Sequence, residues 1–107
     1  MDALVVASNR PKHVVEFVKA WQTQLRQVKL IVMHDSTNNM ETATLREDLS
    51  MIRGQFELYN QLDIAADIPE NAWIIPEKTG ACKSYGILKA WQSKVDVVFN
   101  LDDDCMP

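Results

Sequence analysis

Short apolar runs of strand length alternate with stretches of helical spacing, and this alternation leaves few folds open to the chain. Residues 3–7 (ALVVA) are apolar and rich in β-branched side chains, and are closed by Ser8, Asn9 and Arg10. They predict a buried strand. Pro11 opens a helix, where its missing N–H is not needed. Val14, Val18, Trp21, Leu25 and Val28 follow at spacings of four and three, one face of a helix. Residues 29–33 (KLIVM) predict a second buried strand, ending at His34, Asp35 and Ser36. Residues 36–40 (STNNM) read as a polar loop. Leu45, Leu49 and Ile52 again have helical spacing, and Gly54 ends that helix. Residues 56–59 (FELY) predict a short third strand, residues 60–66 a short helix, and residues 73–75 a brief strand between Pro69 and Pro76. Thr79 caps a helix running to about Ser93, with Ala81, Tyr85 and Leu88 inward. Residues 95–101 form the last strand, apolar except for Asp96 and Asn100. Strands alternating with helices predict an α/β domain, with a mainly parallel sheet, right-handed crossovers and helices on both faces.

Size and charge narrow the function. At 107 residues the chain reads as one domain with a core of its own. Eleven basic against 15 acidic side chains give a net charge of -4, which argues against a nucleic-acid partner. No apolar run approaches the length of a membrane span. The first residues, MDALVVASNRPKH, lack the basic start and long apolar stretch of a secretion signal. Cys82 and Cys105 are too few for a disulfide scaffold and are expected as reduced thiols of a cytoplasmic protein.

In a parallel α/β sheet the ligand sits beyond the carboxyl ends of the strands. That rule selects Ser8, Asn9 and Arg10; His34, Asp35 and Ser36; Tyr59 and Asn60; and Asp102, Asp103 and Asp104. The aspartates carry the chemistry. Three adjacent carboxylates repel one another unless a cation, a basic group or solvent compensates. In an extended stretch Asp102 and Asp104 point to one side and Asp103 to the other. Two hard oxygen donors on one side suit Mg²⁺ or Mn²⁺, which in turn suits a diphosphate. Met in isolation such a triplet is a solvated acidic tail. Its place after VVFNL, at the expected ligand edge, favours a site.

The helix before the last strand is close to that strand in length, at about 1.5 Å per residue against about 3.3 Å. Its start should lie level with the aspartates, bringing Gly80, Ala81, Cys82 and Lys83 near them. A helix start with a lysine suits an anion. The same geometry brings Cys82 toward Cys105, as two small buried thiols rather than a redox pair. His13 is expected on the surface. Trp21, Trp73 and Trp91 are expected mostly in the core, and Tyr59 either packs or stacks on a base.

These residues resemble a known family. LDDDC at a strand end is similar to the DxD motif of GT-A glycosyltransferases. More specifically, the chain resembles the reversibly glycosylated polypeptides, the plant UDP-arabinopyranose mutase family. ELYNQLDI (57–64) is similar to that family's ELYN-x-x-D-I, GACKSYG (80–86) to S-A-C-R-x-F-G, and LDDDCM (101–106) to I-D-D-D-C-F. ASNRP is similar to its first strand end and VMHDS to V-Q-D-G. The resemblance spans almost the whole chain. It implies a Rossmann-like GT-A nucleotide-binding half and a UDP-sugar as partner. Asp102 and Asp104 would hold a divalent Mn²⁺ or Mg²⁺, with Asp102 and Asp103 also at the nucleotide. Asp35 would contact the uracil, and Ser8 and Arg10 would line the base and ribose pocket. Lys83 takes an arginine's position facing the diphosphate, where it cannot make the bidentate contact. His34 stands for glutamine and Ser36 for glycine. The arginine that becomes glycosylated in the plant proteins has no identifiable counterpart.

Residues 1–107 therefore read as one nucleotide-sugar-binding domain, the N-terminal part of a larger GT-A domain. A complete small domain is the alternative. The function implied is a metal-dependent UDP-sugar glycosyltransferase or mutase. The alternatives are a nucleotide-sugar-binding fragment or paralogue without catalysis and, last, a phosphatase with a strand-end Asp-x-Asp nucleophile. An open sheet edge would favour homo-oligomers.

Overall fold

The computed structural model describes residues 2–67 and 81–105, without the side chains of residues 67 and 81–84. In chain order the elements are β1 (Asp2–Ser8), α1 (Pro11–Ala20), β2 (Val28–His34), α2 (Asn39–Ser50), β3 (Glu57–Asn60), α3 (Gln61–Asp67), α4 (Ala81–Gln92) and β4 (Val98–Asp102). The strands form one sheet in the order β3-β2-β1-β4, and every pairing is parallel. This is the Rossmann-like α/β arrangement that the alternation predicts. The expected strand at residues 73–75 and the Thr79 cap lie outside the described residues.

The continuous apolar runs are explained by burial on both faces. Leu4 and Val6 of β1, with Leu30 and Val32 of β2, pack on Val14, Phe17 and Val18 of α1 and on Leu45 and Leu49 of α2. The alternate positions Ala3, Val5, Ile31 and Met33 pack on Tyr85 and Ala90 of α4 and on Ile64 of α3. Successive strand residues thus supply opposite layers, as the pleat requires.

Two expected boundaries move. The apolar stripe from Val14 to Val28 is not one helix: α1 ends at Ala20, residues 21–27 form turns, and Val28 already begins β2. Ten helical residues rise only about 15 Å, and β2 must start level with Asp2, whose register partner is Val28. The turns cover the remaining distance while keeping Leu25 buried. Arg53 fastens them, donating from Nη1 to the Leu25 carbonyl at 2.7 Å and from Nη2 to that of Val28. The last strand starts at Val98 rather than residue 95, after Lys94 turns the chain out of α4 with a left-handed φ of 57°.

Candidate functional site

The parallel register brings the strand ends level. Ser8 pairs with His34, His34 with Asn60, and Ala7 with Asp102. The residue after Asp102 therefore arrives beside Ser8. Connections leave β1 toward β2 on one face, while β4 is reached through α4 on the other. The crevice between β1 and β4 is the topological switch point, where α/β sheets bind ligands.

Asp103 fills that crevice. It is buried, and its carboxylate accepts from Ser8 Oγ, from Arg10 Nε at 3.2 Å and from Arg10 Nη2. Ser8 Oγ also accepts the Arg10 backbone N–H at 2.8 Å, closing the short turn after β1. Burial pushes the Asp103 carboxyl up. The hydrogen bonds from Ser8 and Arg10 and the charges of Arg10 and His13 outweigh it and hold the group below the usual carboxylate range.

The triplet is not extended, contrary to the sequence expectation. β4 ends at Asp102, and the Cys105 N–H donates to the Asp102 carbonyl at 3.1 Å, closing a turn. Aspartate is favoured at the first position of such a turn. Asp102 and Asp104 are exposed while Asp103 is buried. What sets Asp103 apart from its neighbours is burial in the Ser8–Arg10 pocket at a turn, not the alternation of a strand pleat. Trp21 Nε1 donates to the Cys105 carbonyl at 2.8 Å and ties this turn to the end of α1. Cys105 is a free, half-buried thiol against the core layer of α1 and α2, the face opposite α4. The side chains of Cys82 and Lys83 lie outside the described residues, and the backbone of both is in the first turn of α4.

Asp35 stands one strand over. It is buried, its N–H donates to the Ser8 carbonyl at 2.8 Å, and its Oδ1 accepts from Gln61 Nε2 at 2.9 Å. Gln61 is the residue that sequence reasoning missed. Its signal was a polar side chain directly after a strand, at the ligand edge, within ELYNQLDI. His34 is fully buried, with Nδ1 at 2.6 Å from Thr42 Oγ1 and Nε2 at 3.1 Å from Glu41 Oε1. Asn60 Nδ2 donates to the same Thr42 oxygen at 3.1 Å and to Asn39 Oδ1 at 2.9 Å. These contacts lock β2 and β3 to the start of α2. Asn38 caps that helix, accepting from the Glu41 N–H at 3.1 Å. Arg10 also borders a groove of about 770 Å³ between α1 and α2, lined by Val15, Met40 and Leu45.

The aromatic residues divide. Tyr59 packs edge-on against Tyr85 at 5.9 Å, a core role. Trp21 is partly buried against the core, whereas Trp91 is 74% exposed. Trp73 lies outside the described residues. Among the described residues, no three His, Cys, Asp or Glu side chains are grouped so as to hold a metal ion, and no helix is long and apolar enough to cross a membrane.

Comparison with known proteins bears on this edge directly. The family model described as "Reversibly glycosylated polypeptide" matches residues 2–107. UDP-arabinopyranose mutase 1 of Arabidopsis thaliana is 30% identical over 91 residues, covering 85% of this chain and 23% of that protein. UDP-arabinopyranose mutase 1 of Oryza sativa subsp. japonica is 31% identical over 91 residues, covering 85% and 22%. The chain thus spans less than a quarter of the length of these curated relatives. No solved structure matches the chain. With a family match running from the first strand through the aspartate turn, the chain belongs to the reversibly glycosylated polypeptide family.

Proposed function

We propose that this chain supplies the nucleotide and metal site of a UDP-sugar mutase or glycosyltransferase. The observation that carries the reading is the meeting of Ser8, Arg10 and Asp103 at the β1–β4 switch point, with two further carboxylates exposed on the same turn. Asp35, held by Gln61, is the group for the uracil, and Ser8 and Arg10 line the base and ribose. Lys83, in the first turn of α4, is the residue we assign to the diphosphate.

The donor set fits a hard divalent ion. Mg²⁺ and Mn²⁺ are commonly held by one or two carboxylates, with substrate phosphates completing the shell. Asp102 and Asp104, both exposed at the turn after β4, would supply two such groups. Bound there, such an ion would neutralise a departing diphosphate. Asp103 is engaged by Arg10 and Ser8 and is not counted among its ligands.

Calorimetric titration of UDP into the chain, with Mn²⁺ and then with EDTA, tests the reading. Binding with Mn²⁺ that is lost in EDTA is expected. Asp104→Asn should remove the metal-dependent affinity and leave the circular dichroism unchanged. Absence of UDP binding in both conditions, or full affinity in Asp104→Asn, would overturn the nucleotide or the metal assignment respectively.

A further inference from the structure

Asp103 and Arg10 differ sharply in exposure. The carboxylate side chain is 5% exposed and the guanidinium side chain 51%. Arg10 contributes Nε and Nη2 to the two oxygens of Asp103, a two-donor fork that fixes the guanidinium plane. A guanidinium has five N–H donors, so three remain directed away from Asp103. Ser8 ties both partners through one hydroxyl, taking the Arg10 N–H and giving its proton to Asp103. A buried acid gripping the head of a half-exposed base is the arrangement of a group that orients another for a ligand.

We propose that Asp103 is a positioning residue, which aims the remaining donors of Arg10 at the nucleoside part of the bound nucleotide. The inference rests on the nucleotide reading above. It divides the triplet: the outer aspartates serve the diphosphate through a metal ion, and the middle one serves the nucleoside through Arg10. Uridine separates the two roles, because it has the nucleoside and no phosphate.

The test is calorimetry of the chain with UDP plus Mn²⁺ and with uridine, for Asp103→Asn, Arg10→Ala, Arg10→Lys and the Asp103→Asn/Arg10→Ala pair. Asp103→Asn should weaken UDP and uridine by the same factor, about tenfold. The double variant should be no weaker than Arg10→Ala alone, since both remove one aimed group. Arg10→Lys alters an exposed side chain and should fold normally, yet lose affinity for both ligands, because an ammonium cannot form the fork. If Asp103→Asn does not fold, Arg10→Lys carries the test. A loss confined to UDP would place Asp103 with the metal ligands and overturn the inference. So would multiplied losses in the double variant, or full affinity in Arg10→Lys. UDP binding by the unsubstituted chain that Asp103→Asn leaves unchanged removes this inference alone. No UDP binding by the unsubstituted chain removes the nucleotide reading and this inference together.

Discussion

Glu57, at the start of β3, joins three elements. It pairs with Lys29 of β2 and accepts the hydroxyl proton of Tyr59. Lys29 also donates to Ser93, past the end of α4, at 2.8 Å. Burial raises the Glu57 carboxyl. The hydrogen bonds from Lys29 and Tyr59 and the charges of Lys29 and Lys89 outweigh it, so the folded value lies below the ordinary glutamate value. A carboxyl lowered by folding contributes stability that is present above the unfolded value and lost as pH falls through the folded one. Glu57→Gln should therefore be less stable than the parent at neutral pH. The gap should close as pH drops below the ordinary glutamate range. Urea denaturation of both proteins from pH 7 to pH 3 checks this, and a gap independent of pH would detach the carboxylate charge from the effect.

Close packing of α4 on the sheet depends on Gly86. A Cβ there would stand 2.6 Å from Val5 Cγ1 and 2.9 Å from Met33 Cγ, both in the core layer. Gly86→Ala should cost about 1–3 kcal/mol by overpacking, read as a lower midpoint in chemical denaturation. Lys94 sits on the same connection with the opposite need. Its left-handed φ of 57° strains a side-chain-bearing residue just past the helix. Lys94→Gly should stabilise by about 0.5–1 kcal/mol in the same assay. One connection thus has a glycine that should not be replaced and a lysine that should. Such features mark where the sequence stops being readable. The strands and helices were legible because apolar period reports burial, and Val5 and Ile31 could not occupy any other place. The end of α1 was not, because Leu25 and Val28 keep helical spacing while lying on turns and a strand. Asp102, Asp103 and Asp104 were legible as a candidate site from their place after a strand. The grip of Asp103 on Arg10 joins positions far apart in the chain and is set by the register of β4 on β1, which no local pattern encodes. Gln61 was hidden for the same reason, since its partner Asp35 lies just past the end of the neighbouring strand, β2.

At the scale of the whole molecule, the order β3-β2-β1-β4 gathers groups from distant parts of the chain onto one edge. β1 is central, and its loop meets the β4 turn because the chain winds away from β1 on one face and returns on the other. The same winding fixes the direction of α4. A helix that precedes a parallel strand runs opposite to it, so α4 begins at the carboxyl edge of the sheet. Gly86 lies over Val5, in the middle of β1, and over Met33, one residue before the end of β2. Residue 83 is three helical positions nearer the edge, about 4.5 Å along the axis. Its backbone therefore approaches the level at which Ser8 and Asp103 meet. A lysine in the first turn of a helix suits an anion, and hydrogen bonds to charged groups are worth about 1.5–3 kcal/mol. Lys83→Ala should accordingly weaken UDP by roughly ten- to a hundredfold and leave uridine unaffected. Lys83→Arg should retain UDP, because a guanidinium offers the phosphate at least as many donors. Calorimetry of both variants with both ligands checks the assignment. An equal loss for UDP and uridine in Lys83→Ala would move this lysine from the diphosphate to the nucleoside side of the switch point.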